Sequence, residues 1–160
     1  TQNQAIGNQP RPASQSWGRF AGIVAIYALL GPLVGAIGVT GLFTVYAVGV
    51  EIAIGNFDDI ARRFVGGMLV GTIVSAILAY AYGIVSAAGV GLVVAFRDRR
   101  KGGISWRTSL VAALAFWLLM SLAATAVVPP QGLVQWIGAL LAAHVLAAAV
   151  CTWIARRIFR

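Results

Sequence analysis

Between Phe64 and Phe96 the chain runs for 33 residues without a charge, and within that run every fourth position from 67 to 95 is small. The positions are Gly67, Gly71, Ser75, Ala79, Gly83, Ala87, Gly91 and Ala95. An uncharged run of this length reads as a lipid-embedded helix. In hydrocarbon, water does not drive helices together. Association rests on van der Waals contact, and small residues at this spacing let backbones approach. An α-helix turns about 100° per residue, so a stripe with a four-residue step drifts about 40° per step. A straight partner cannot follow it. The expectation is therefore that one neighbour meets Gly67, Gly71 and Ser75, and a different one meets Gly83, Ala87 and Gly91. A shorter ridge of the same kind, Ala139, Ala143 and Ala147, continues to Cys151 and Ala155.

Three further apolar stretches accompany this one: Phe20–Ile54, Thr108–Val128 and Leu133–Ala155. Each exceeds the roughly 18 residues needed for a span. With 60% hydrophobic residues and 10% charged, and a mean hydropathy of +0.89, the composition excludes an ordinary soluble domain. The expected fold is all-α: a polytopic membrane protein of four transmembrane helices. The expected division is a polar cytoplasmic tail over 1–17 and one four-helix transmembrane domain over 18–160. The tail lacks a basic region before a short apolar core, so it does not read as a secretory signal.

The net charge of +8 does not mark a nucleic-acid binder, because no contiguous basic face on a soluble module carries it. Basic residues sit at segment ends, as topology signals do. With four spans and both termini inside, ten of twelve lie in the cytoplasm, including Arg97, Arg99, Arg100, Lys101 and Arg107 of the middle loop. That basic cluster can also attract anionic lipid headgroups. Eleven of the twelve are arginine, which with the Ala and Gly content hints at a GC-rich bacterial source. The expected location is a bacterial inner membrane, crossed several times.

Two segments are longer than a span. Thirty-three helical residues reach about 50 Å against a hydrocarbon core of about 30 Å. Each long segment must kink, break or project. The candidates are Gly31-Pro32 or Gly38–Gly41 in the first and Gly83–Gly91 in the second. A six-span arrangement that halves both is the alternative. The second long helix is expected to begin at about Phe57, with Asn56 as N-cap.

Few residues carry chemistry. His144 is the only histidine and lies mid-span. Its readings are a packing residue, a proton or substrate group, or, least favoured, a ligand to a haem or chlorophyll-type metal. No cofactor is otherwise expected. Glu51 is the only acid within an apolar run, and helical phase puts it near one line with Thr40 and Thr44. That line suits a cation or proton path. The favoured reading is that Glu51 lies near the outer surface and pairs with Arg62 or Arg63, while the threonines bond their own helix carbonyls. No paired carboxylates, Ser–His–acid set or metalloprotease motif is present, so no catalytic residue is assigned. The expected function is a small accessory or structural subunit of a larger membrane complex, packing on other integral membrane subunits. The alternative is a small oligomeric transporter or channel for cations, protons or a small solute, using Thr40, Thr44, Glu51 and His144.

Overall fold

A computed structural model of the chain describes residues 16–159. Apart from Ser16 and Trp17, the tail expected over 1–17 lies outside the described residues, as does Arg160. Four helices follow one another: α1 (Trp17–Ala53), α2 (Ile60–Lys101), α3 (Trp106–Ala124) and α4 (Pro130–Ile158). All four are long and apolar enough to cross a membrane, and no strand occurs among the described residues. Neither long segment is halved. α1 runs unbroken through Pro32 for 37 residues, and α2 continues for 42.

The ends follow from local chemistry. The Ser16 hydroxyl caps α1 by accepting from the Arg19 backbone N–H at 3.3 Å. α1 closes in a Schellman turn. Gly55 takes the left-handed φ of 76°, its N–H donates to the Ile52 carbonyl, and the Asn56 N–H reaches back to the Glu51 carbonyl. Asn56 therefore ends α1 and does not start α2. Its side-chain amide donates to Glu51 Oε2 at 2.6 Å, and α2 begins at Ile60 after Asp59. α4 opens with Pro130 in its first turn, where the missing N–H costs nothing.

The irregularity in α2 lies just before the expected stretch. Residues Ala79–Gly83 form a π-helical turn. Directly across from it, the Tyr80 hydroxyl donates to the Leu29 carbonyl of α1. Pro32 lies three residues further along α1, and the N–H it lacks would have served the Ala28 carbonyl, so Tyr80 bonds the carbonyl next to that one. Two local faults thus meet, and one side chain satisfies an acceptor there.

α1 is the central element. It packs on α2 along one side and on α4 along another, while α3 closes one end of the bundle, that of Arg19 and Lys101 and hereafter the inner end, between α4 and the Ile84–Lys101 half of α2. The core is densest at that end, around Ile23, Tyr27, Val94, Ala113 and Cys151. The outer half of α2, Ile60–Leu78, packs against α1, makes no comparable contact with α3 or α4, and buries no residue.

The small-residue ridge lies on one neighbour, not two. A Cβ added at Gly67 would come 3.1 Å from the Thr44 hydroxyl, and one at Gly71 would come 2.8 Å from Thr40 Cγ2. Ala87 faces Gly31. At Gly91 a Cβ would meet Tyr27 Cβ at 2.8 Å and Val24 Cα at 3.2 Å. All these partners belong to α1. The expectation of a second neighbour assumed a uniform helix. The π turn winds more slowly than an α-helix and takes out part of the drift, and Pro32 gives α1 a place to bend toward the rest. Ala95 is buried at the inner end of the same face. Gly83 is the exception, since a Cβ there meets nothing within 4 Å. The α4 ridge also serves α1: Ala143 lies under Gly35, where an added Cβ would sit 3.4 Å away, and Ala139 is buried.

Candidate functional site

Polar groups collect at three levels along the bundle. The inner level is a clamp. Asp98, 2% exposed, accepts from Arg19 Nε at 2.7 Å and from Arg19 Nη2 at 3.0 Å, a bidentate pair. Arg19 Nη1 donates to the Phe159 carbonyl at 2.6 Å, at the end of α4, and Asp98 Oδ1 also accepts from the Gly103 N–H at 2.9 Å. One guanidinium therefore joins α1, α2 and α4, and its acid partner fixes the loop into α3. Gly103 makes this possible with a φ of 112°. The neighbouring Arg99 guanidinium lies 4.0 Å from the centre of the Trp17 ring, while Arg100 and Lys101 are exposed.

The next level is a buried hydroxyl triad. The Tyr27 hydroxyl lies 2.8 Å from Ser109 Oγ and 2.7 Å from Thr152 Oγ1, which are 2.7 Å from each other. Thr152 also donates to the Ala148 carbonyl at 2.6 Å. The triad ties α1, α3 and α4 together where unpaired hydroxyls would be costly.

The outer level is a groove of about 310 Å³ between α1 and the outer half of α2. Thr40, Thr44, Glu51, Arg63, Gly67, Gly71 and Ser75 line it. The structure thus brings the proposed polar line and the first three residues of the ridge to one place. Thr40 Oγ1 donates to Ser75 Oγ at 3.0 Å. Glu51 is held by an ion pair with Arg63 and by the Asn56 amide, while Arg62 pairs with Asp59 at 2.7 Å.

Between these levels lies an apolar, partly open cavity of about 360 Å³ that residues of all four helices line. The π-turn residues Ala79, Tyr82 and Gly83 form one wall, and Ala143, His144 and Ala147 form another. Ser75 lines both this cavity and the outer groove. His144 lies on the cavity wall and Nδ1 is 2.8 Å from the Leu140 carbonyl. A carbonyl only accepts, so Nδ1 carries the proton and Nε2 is the acceptor. Nε2 is buried with no hydrogen-bond partner among the described residues. Among the described residues no three His, Cys, Asp or Glu side chains converge as metal ligands.

The clamp and the triad were not legible in the sequence. Asp98 stands among four basic residues and reads as a minor charge in a topology signal. The triad hydroxyls come from positions 27, 109 and 152, with no spacing that relates them. The Leu140–His144 contact, by contrast, follows from helical i, i+4 geometry and could have been found. Comparison with protein families, characterised proteins and solved structures finds no match to this chain.

Proposed function

We propose that the chain is a structural subunit of a larger membrane complex, in a bacterial inner membrane with both termini cytoplasmic. The observation that supports this is the unequal reach of the two hairpins. Tyr27, Ser109 and Thr152 touch, so they share one level. From that level α1 continues 26 residues to Ala53, about 39 Å, whereas α3 continues 15 residues to Ala124, about 22 Å, and α4 extends back 22 residues to Pro130, about 33 Å. The α1–α2 hairpin therefore stands taller than the α3–α4 hairpin and leaves a step. The outer half of α2 carries Leu69, Val70, Ile73 and Ile77 on one helix face at 62–65% exposure. Apolar surface beside a step suits a neighbouring helix of another integral membrane protein, which would gain packing that fluid lipid does not give. The polar contacts of Arg19, Tyr27 and Thr40 tie α1 to the other helices and make the chain a firm template for such a neighbour.

Gentle detergent extraction tests this reading. A stoichiometric partner should co-purify, and Leu69→Asn with Ile73→Asn on the bare face should release it while the chain stays folded. A particle made of this chain alone, after native extraction, would refute it.

The second reading is a small carrier for cations or protons. The observation that favours it is the shared residue Ser75, which joins the outer groove to the cavity beside His144. Against it, Glu51 already neutralises Arg63, and the cavity wall is apolar. Vesicles showing cation- or proton-driven flux that vanishes in Glu51→Gln would promote this reading over the first.

A further inference from the structure

The outer groove and the inner cavity lie end to end. From Glu51 to Thr40 is eleven residues of α1, about 16 Å of length. That matches half of a hydrocarbon core of about 30 Å, the depth that one acyl chain covers. Phe43, Ala47 and Val48 give the groove an apolar side, and beyond Ser75 the cavity continues as apolar space. At the other end of the groove stands charge.

The charge has a particular character. Glu51, Asp58 and Asp59 face two arginines, Arg62 and Arg63, so the hairpin tip is not a basic patch. Arg63 is half-exposed and uses one of its five N–H donors on Glu51. Donors remain for a phosphate. Glu51 accepts from Arg63 and Asn56, and a carboxylate has lone pairs left for a third donor. A head carrying both a phosphate and a primary ammonium fits this pair. An anionic head would meet an excess of acid. A quaternary ammonium has no N–H to donate.

We propose that the α1–α2 groove holds one phospholipid with a phosphoethanolamine head. Its phosphate rests on Arg63 and its ammonium on Glu51. One acyl chain runs along Phe43 and Ala47 and passes Ser75 into the apolar cavity. The inference does not depend on a protein partner, since it concerns the face between α1 and α2.

The test uses the full chain in detergent micelles with three phospholipids of identical acyl chains. Their heads are phosphoethanolamine, phosphocholine and phosphoglycerol, and native mass spectrometry counts the lipids retained. One phosphoethanolamine lipid should be retained per chain, about tenfold better than the other two, the effect of one charge-assisted hydrogen bond. Glu51→Gln should abolish that preference. Ala47→Leu, at an exposed position, should lower retention of all three by filling the groove, and it keeps the test open if Glu51→Gln fails to fold. Equal retention of the three lipids, preference for phosphoglycerol, or retention unchanged in Ala47→Leu would overturn the proposal.

Discussion

Replacing Asp98 by alanine should loosen the whole bundle. The carboxylate is 2% exposed and accepts three hydrogen bonds, two from Arg19 and one from Gly103. Its removal leaves a guanidinium with the Phe159 carbonyl as its one remaining acceptor among the described contacts. Breaking a buried pair by deleting one member costs about 3–5 kcal/mol, mostly because the other charge is stranded. Arg19 is 19% exposed, which lets water reach part of it, so the lower end applies. A loss of about 3 kcal/mol raises the population of open molecules about 150-fold. Cys151 reports that population. It is the only cysteine, 0% exposed, and sits on α4 with its thiol against the Ile26 carbonyl of α1. Alkylation of Cys151 by a maleimide should therefore accelerate by about that factor in Asp98→Ala, provided that opening precedes reaction. Arg19→Met should strand Asp98 and show a similar acceleration. The double variant leaves no buried charge and should react within about tenfold of the parent, so the cycle is strongly non-additive. An acceleration below fivefold in Asp98→Ala, or additive single effects, would refute the clamp as a source of stability.

Gly91→Ala should destabilise the bundle by about 1–3 kcal/mol, because the new methyl meets the Val24 backbone and not a flexible tip. Gly66→Ala, with nothing within 4 Å, should be neutral or slightly stabilising in the same alkylation assay. Gly71→Leu and Gly91→Leu should both weaken the α1–α2 seam, and a variant pair in which either leaves that seam intact would contradict the shared partner. Tyr27→Phe should cost about 0.6–1.5 kcal/mol in thermal unfolding, since Ser109 and Thr152 keep each other as partners. In a Cys151→Ser background, an impermeant thiol reagent added outside should label Gly55→Cys and Gln131→Cys and spare Gly102→Cys. Labelling of Gly102→Cys from outside would reverse the orientation.

The sequence made the number of helices legible because four apolar runs are separated by charge or by Pro129-Pro130, and hydropathy reports partition into lipid directly. It also made the ridge legible as a packing surface. It did not reveal which helix the ridge meets, because phase was extrapolated across Ala79–Gly83 at a constant 100° per residue and the π turn breaks that assumption. Glu51 was legible as a partner of Arg63, since both flank the same turn. Its companion Asn56 was read as starting a helix when its backbone ends the previous one. Arg19 and Asp98 escaped because long-range ion pairs leave no local pattern, and each had a sufficient local explanation as a boundary charge. The groove and cavity escaped for a related reason. Empty space belongs to no residue and arises from how α1 and α2 diverge.

The clamp also dictates an order of assembly. Arg19 finds its carboxylate 79 residues later and its carbonyl acceptor 140 residues later. A ribosome delivers α1 and α2 first, and that hairpin can already close the Arg19–Asp98 pair. The third donor of the guanidinium waits for the far end of α4, and so does the Tyr27 hydroxyl for Thr152. Contacts so distant in the chain form last, after the loops between them have been closed. The final helix to enter the membrane is thus the one that latches the first. A nascent chain stalled after α3 leaves one Arg19 donor without its Phe159 acceptor and Tyr27 resting on Ser109 alone, a weaker bundle that separates unfinished molecules from finished ones.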